Sequence, residues 1–164
     1  MLALFIGGIK SGKSKEAELY TIKHSKTKPI YLATTEFIDS EMAQKIKQHK
    51  LQREDNFITY EEPLHLAKIL QNEKGTILIE CVSMWLNNML YHNYSQDEIL
   101  KEIDEITKLD CKIVFVINDV SCSVVSEHKL VREFVNLSGK ISQLLASKCS
   151  EVFQVTAGIS VKIK

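Results

Sequence analysis

Along the chain, short runs of consecutive apolar residues alternate with longer stretches in which apolar positions recur every three or four residues. The short runs fall at residues 3–6, 29–33, 76–80, 112–117 and 151–156. Their near-continuous apolar character predicts strands covered by helices on both faces. The longer stretches predict helices from 13 to about 24, 39 to about 53, 63 to 71, 83 to 91, 95 to about 109 and 127 to about 147. In the second of these, Met42 and Ile46 stand four apart among charges; in the last, Leu130, Phe134, Leu137, Ile141, Leu144 and Leu145 keep helical spacing. Ser95 with Glu98 three places on reads as a capping box. Strand and helix in alternation predict βαβ units. The expected fold is therefore α/β, a mainly parallel central sheet with helices on both faces, in a single domain spanning residues 1–164. The tail from Gly158 to Lys164 predicts a short edge strand or hairpin.

Composition narrows the partners. Lys plus Arg equals Asp plus Glu at 21 each, which gives no general attraction to nucleic acid or to an anionic membrane. No apolar run approaches the ~20 residues of a membrane span, and the apolar opening Met1-Leu-Ala-Leu-Phe-Ile6 is too short for a signal-peptide core. Cys81, Cys111, Cys122 and Cys149 form no C-x-x-C pair and have no zinc-like spacing, so they read as reduced thiols of a cytoplasmic protein.

The first candidate site is Gly7-Gly-Ile-Lys-Ser-Gly-Lys-Ser14, which satisfies G-x-x-x-x-G-K-[ST] between a strand and a helix. Glycines at 7, 8 and 12 let the backbone of Ile9, Lys10 and Ser11 curl so that N–H groups converge on phosphate oxygens. The following helix presents its positive end. Lys13 would lie against the β- and γ-phosphates, and the Ser14 hydroxyl suits Mg²⁺. A turn without a ligand has no need of Lys-Ser after its last glycine. Such a site also needs a carboxylate at the end of a hydrophobic strand, and Glu80 is the candidate. Glu80 would orient metal-bound water or accept a proton from an acceptor hydroxyl. Trp85, on an apolar helix, reads as a packing residue.

The second candidate site is Asp39-Ser-Glu-Met-Ala-Gln-Lys-Ile-Lys-Gln-His-Lys50. His49 sits near the apolar stripe, with Lys45, Lys50 and Arg53 around it. Neighbouring cations favour the neutral, nucleophilic imidazole, and the same cations would hold a triphosphate.

With these segments in order, the chain resembles the bifunctional adenosylcobinamide kinase / adenosylcobinamide-phosphate guanylyltransferases of cobalamin synthesis. Further matches are Tyr31-Leu-Ala-Thr-Thr35, Thr59-Tyr-Glu61, Ile79-Glu-Cys-Val-Ser-Met-Trp-Leu-Asn-Asn88, Asn118-Asp-Val120, Arg132-Glu-Phe134, Gly139 and the ending Gly158-Ile-Ser-Val-Lys-Ile-Lys164. The resemblance implies a RecA-like P-loop NTPase fold assembled as a homotrimer. It implies phosphorylation of adenosylcobinamide by ATP or GTP. It also implies transfer of GMP from GTP to adenosylcobinamide-phosphate through a histidine–GMP intermediate, with His49 carrying the GMP. Ala33, Thr34, Thr35, Lys50, Leu51, Gln52, Arg53, Glu61 and Glu80 fall where the family contacts nucleotide.

The chain departs from the family pattern in places. Gln48 replaces the first of two histidines, Phe57 a tryptophan, Glu54 a proline and Asn136 an aspartate. The family's Asn-Glu-Val-Gly-x-Gly-x-x-Pro loop appears as Asn118-Asp-Val-Ser-Cys-Ser-Val-Val-Ser126. That altered loop motivates one alternative, a guanylyltransferase without kinase activity. An alternative of another class is a nucleotide-gated P-loop assembly module.

Overall fold

The structure is a computed structural model that describes residues 1–36, 55–122 and 124–164. Seven strands form one sheet: β1 Leu2–Gly7, β2 Ile30–Ala33, β3 Ile58–Glu61, β4 Thr76–Glu80, β5 Lys112–Asn118, β6 Glu151–Thr156 and β7 Ile159–Lys162. Their spatial order is β3-β2-β4-β5-β1-β6-β7. All pairings are parallel except the closing β6–β7 hairpin. The helices are α1 Lys13–His24, α2 Leu66–Leu70, α3 Val82–Tyr91, α4 Gln96–Thr107 and α5 Lys129–Lys148.

The unbroken apolar runs have a simple cause. Successive strand residues point to opposite faces, and here both faces are covered. Ala3 and Phe5 of β1, Leu78 of β4 and Val114 and Val116 of β5 pack on one side with Ala17 of α1. Leu4, Ile77, Ile79, Ile113, Phe115 and Ile117 pack on the other, with residues of α2, α3, α4 and α5. The capping box at Ser95 is present: Glu98 N–H donates to Ser95 Oγ at 3.3 Å, and Ser95 N–H donates to Glu98 Oε2 at 2.8 Å. Trp85 is fully buried, and its Nε1–H donates to the Leu64 carbonyl at 2.9 Å, the partner a buried indole requires.

Two helix boundaries and one strand differ from the sequence reading, each for a local reason. The helix expected over 63–71 is only Leu66–Leu70. The Glu62 carboxylate takes the N–H groups of Leu64 and His65 instead, holding them in a turn. The last helix starts at Lys129, because Arg132 Nη1 donates to the carbonyls of Ser126 and Glu127 and holds them outside it. Strand β3 was not expected. It lies at the sheet edge with three of four positions exposed, so it carries no apolar run. The helix expected at 39–53, with His49, lies outside the described residues. Among the described residues, no helix is long and apolar enough to cross a membrane.

Candidate functional site

The parallel strands β1, β4 and β5 all end at one edge of the sheet, where crevices form in such folds. β1 ends at Gly7, which pairs with Asn118 on one side and Val155 on the other. A Cβ at Gly7 would stand 2.4 Å from the Val155 carbonyl oxygen and 2.6 Å from Ser11 Oγ. Only glycine lets the chain leave the sheet here. The loop then turns: Ser11 N–H donates to Gly8 O at 3.2 Å, while Lys10 (φ 60°) and Gly12 (φ 94°) take left-handed conformations. Alternating backbone of this kind points N–H groups into a concavity suited to an anion. Gly12 is the N-cap of α1 and offers no capping side chain, so the first-turn N–H groups of that helix face the same space.

The loop is braced from behind by the β6–β7 hairpin. Gly158 N–H donates to Ser11 O at 2.7 Å, and a Cβ at Gly12 would stand 3.1 Å from the Gly158 Cα. Two glycines therefore allow two backbones to touch.

Lys13 is buried, with 7% of its surface exposed, and its Nζ donates to the Gly8 carbonyl at 3.2 Å. The ammonium thus lies across the mouth of its own loop. Ser14 Oγ donates to Glu80 Oε1 at 2.7 Å. Glu80 comes from the end of β4, separated from β1 by β5 alone. A hydroxyl that donates to a carboxylate keeps its own lone pairs for a cation. The pair offers only hard oxygen donors, and Mg²⁺ keeps several waters and takes phosphate oxygens besides one or two protein oxygens. These residues therefore fit that ion. Among the described residues, no cluster of three or more His, Cys, Asp or Glu side chains could hold a metal by itself.

The other sequence candidates distribute around this centre. Ile9 and Lys10 are exposed at the rim, while the side chain of Ser11 is buried. Thr34 is buried behind the site: its hydroxyl lies 2.9 Å from the Glu80 carbonyl and 3.1 Å from that of Cys81, and donates there. Ala33 and Glu61 lie in register at the ends of β2 and β3, beyond Glu80, and Thr35 follows them. His49, Lys50, Leu51, Gln52 and Arg53 lie outside the described residues.

Sequence reasoning missed the supports. Asn88 of α3 is fully buried and its Nδ2 donates to the carbonyls of Thr34 (2.7 Å) and Pro63 (3.2 Å), tying two loops together at the sheet edge. Ser83 Oγ accepts the Asn118 N–H at 3.0 Å. Cys81, directly after Glu80, has a left-handed backbone (φ 67°), an uncommon state for a side-chain-bearing residue. Burial pushes its thiol up and the Glu80 carboxylate adds to this, against the Met84 backbone N–H and Lys13, which pull it down. A polar residue in an apolar helix was the signal that could have found Asn88.

A sequence model of the cobinamide kinase / cobinamide phosphate guanyltransferase family matches residues 3–163. The chain belongs to this family. It is 33% identical to the bifunctional adenosylcobalamin biosynthesis protein CobU of Escherichia coli, with all of both chains covered. It is 32% identical to CobU of Salmonella typhimurium, again with full coverage of both. It is also 32% identical to the bifunctional adenosylcobalamin biosynthesis protein CobP of Pseudomonas aeruginosa, covering all of this chain and 98% of that one. Membership makes the chain an enzyme of cobalamin biosynthesis, a kinase and guanylyltransferase acting on cobinamide and its phosphate. Among solved structures, the flagellar accessory protein FlaH of Methanocaldococcus jannaschii superposes with a TM-score of 0.51 at 11% identity, covering 98% of this chain and 75% of that one. That likeness concerns fold alone, the RecA-like P-loop architecture.

Proposed function

We propose that the pocket at residues 7–14 is where this family member performs both its reactions, with Lys13, Ser14 and Glu80 as the reacting centre and His49 as the nucleophile for GMP transfer. The observation that carries the reading is the 2.7 Å contact of Ser14 with Glu80 beside a buried Lys13 at the start of α1, directly after a loop whose Lys10 and Gly12 are left-handed. Bound ATP or GTP would lay its phosphates on the loop N–H groups. Mg²⁺, held by Ser14 and Glu80, would neutralise phosphate charge as it develops.

In the kinase reaction, the aminopropanol hydroxyl oxygen of adenosylcobinamide attacks the γ-phosphorus. The bond from that phosphorus to the bridging oxygen breaks, and Glu80 accepts the hydroxyl proton. Lys13 offsets the charge left on the leaving diphosphate. In the guanylyl transfer, a His49 ring nitrogen attacks the α-phosphorus of GTP and pyrophosphate leaves. A phosphate oxygen of adenosylcobinamide-phosphate then displaces the histidine, giving adenosylcobinamide-GDP. Two displacements replace one difficult step. Lys50 and Arg53, one and four residues past His49, would pair with the phosphates, and Thr35, Glu61 and the backbone of Ala33, Thr34, Leu51 and Gln52 would flank the nucleotide. In this reading the enzyme works in the cytoplasm as a homotrimer.

Assaying unphosphorylated and phosphorylated adenosylcobinamide side by side tests the two halves separately. The expected result is turnover of the first with ATP or GTP and of the second with GTP alone. Absence of phosphorylation, with guanylyl transfer intact, would remove the kinase half of the reading.

A further inference from the structure

The loop after β5 and the first turns of α5 carry apolar side chains that the nucleotide chemistry does not use. Val124 is 92% exposed, Val125 82%, Leu130 78% and Val131 46%. Their place follows from topology. β5 ends at the same sheet edge as β1, and α5 runs back from that edge to β6, so α5 starts at the end of the sheet that carries the phosphate loop. Residues 129–133 are all exposed, so the first turn of the helix is little covered by the sheet. The loop is fixed at both ends. Asp119 N–H donates to the carbonyl of Gly7, the first residue of the phosphate loop, at 2.8 Å, and Arg132 holds the carbonyls of Ser126 and Glu127.

Between this loop and α5 lies a groove of about 290 Å³. Val124, Val125, Val131 and Val135 give it an apolar wall, and Ser121, Ser126, Arg132 and Asn136 complete the lining with polar groups. Apolar surface of this kind, left in water next to a reaction site, marks a ligand or partner surface.

We propose that this groove docks the corrin macrocycle of the cobinamide acceptor while its aminopropanol arm reaches the phosphate loop. The proposal rests on the function proposed above. The complementarity is chemical: a corrin has a broad apolar face and a rim of carboxamides, and the groove pairs a valine wall with hydroxyl, amide and guanidinium groups that can hydrogen-bond carboxamides. Continuity with the site supports the same occupant, since the loop is hydrogen-bonded to Gly7 itself.

The test is equilibrium dialysis of adenosylcobinamide against the full chain, comparing the parent with Val125→Asp and Val131→Asp. Both positions are exposed, so the fold is expected to persist, and unchanged thermal unfolding checks this. Each charge should weaken acceptor binding about tenfold or more, while labelling of the protein by GTP alone stays at the parent level. Equal binding by parent and variants overturns the groove and leaves the proposed reactions standing. A parent that fails to bind adenosylcobinamide at all overturns both. Variants that lose oligomer mass in sedimentation would assign the valines to a second copy and overturn the proposal too.

Discussion

Replacing Lys13 by methionine should lower both phosphoryl and guanylyl transfer by about 10³-fold or more, with little change in stability. The two reactions break different bonds of the triphosphate, yet each leaves negative charge on oxygens that sit over the same loop. Lys13 is positioned for both, buried at the loop mouth with Nζ 3.2 Å from the Gly8 carbonyl. Methionine keeps most of the apolar stem and removes the ammonium, with its charge and its hydrogen bond to Gly8. The lost hydrogen bond to the Gly8 carbonyl costs about 1 kcal/mol, and removing a buried ammonium also removes its desolvation cost, so the folded state loses little. Steady-state kinetics with saturating Mg²⁺, beside a thermal unfolding curve, separates the effects. Activity within tenfold of the parent would remove Lys13 from the chemistry. Loss of activity together with a large fall in Tm would assign it a structural part instead.

The second large effect is on folding. Gly7→Ala should destabilise the protein by about 3 kcal/mol, which for a chain of this size lowers Tm by roughly 10 °C. The new methyl group would meet the Val155 carbonyl oxygen at 2.4 Å, and that oxygen belongs to backbone paired across from Gly7. It cannot retreat without opening the β1–β6 ladder, and Ser11 Oγ at 2.6 Å blocks the other direction. Gly8→Ala is the control. A Cβ there has nothing within 4 Å, so its stability should match the parent to about 0.5 kcal/mol. Equal melting of the two variants would show that the joint between sheet and loop is looser than its contacts indicate.

These two glycines also show what the sequence disclosed and what it withheld. The spacing Gly7 to Ser14 between an apolar run and a helical pattern was enough to expect a phosphate loop. An apolar run ending in Glu80 was enough to bring a carboxylate toward it. Both signals are local, and the 2.7 Å approach of Ser14 to Glu80 agrees with them. The supports of the loop are not local. Gly158 faces Gly12 across nearly the whole length of the chain, and Asn88 reaches carbonyls on two separate loops. No spacing rule couples such positions. Strand β3 was missed for a different reason. An exposed edge strand is held by backbone hydrogen bonds to β2, which any side chain can accompany, so it leaves almost no hydrophobic pattern. Thr34 illustrates a third case: it stands at the expected place, but its side chain is turned inward, holding the strand end that presents Glu80.

The central claim is that the loop at residues 7–14 presents GTP to His49. Its most direct test is the intact mass of the parent chain and of His49→Asn after incubation with GTP and Mg²⁺. The expected spectrum shows the parent heavier by a single GMP, lost again on mild acid treatment as a phosphoramidate would be, and the variant unchanged. An adduct of the same mass on His49→Asn, or a parent that gains none, would contradict the account.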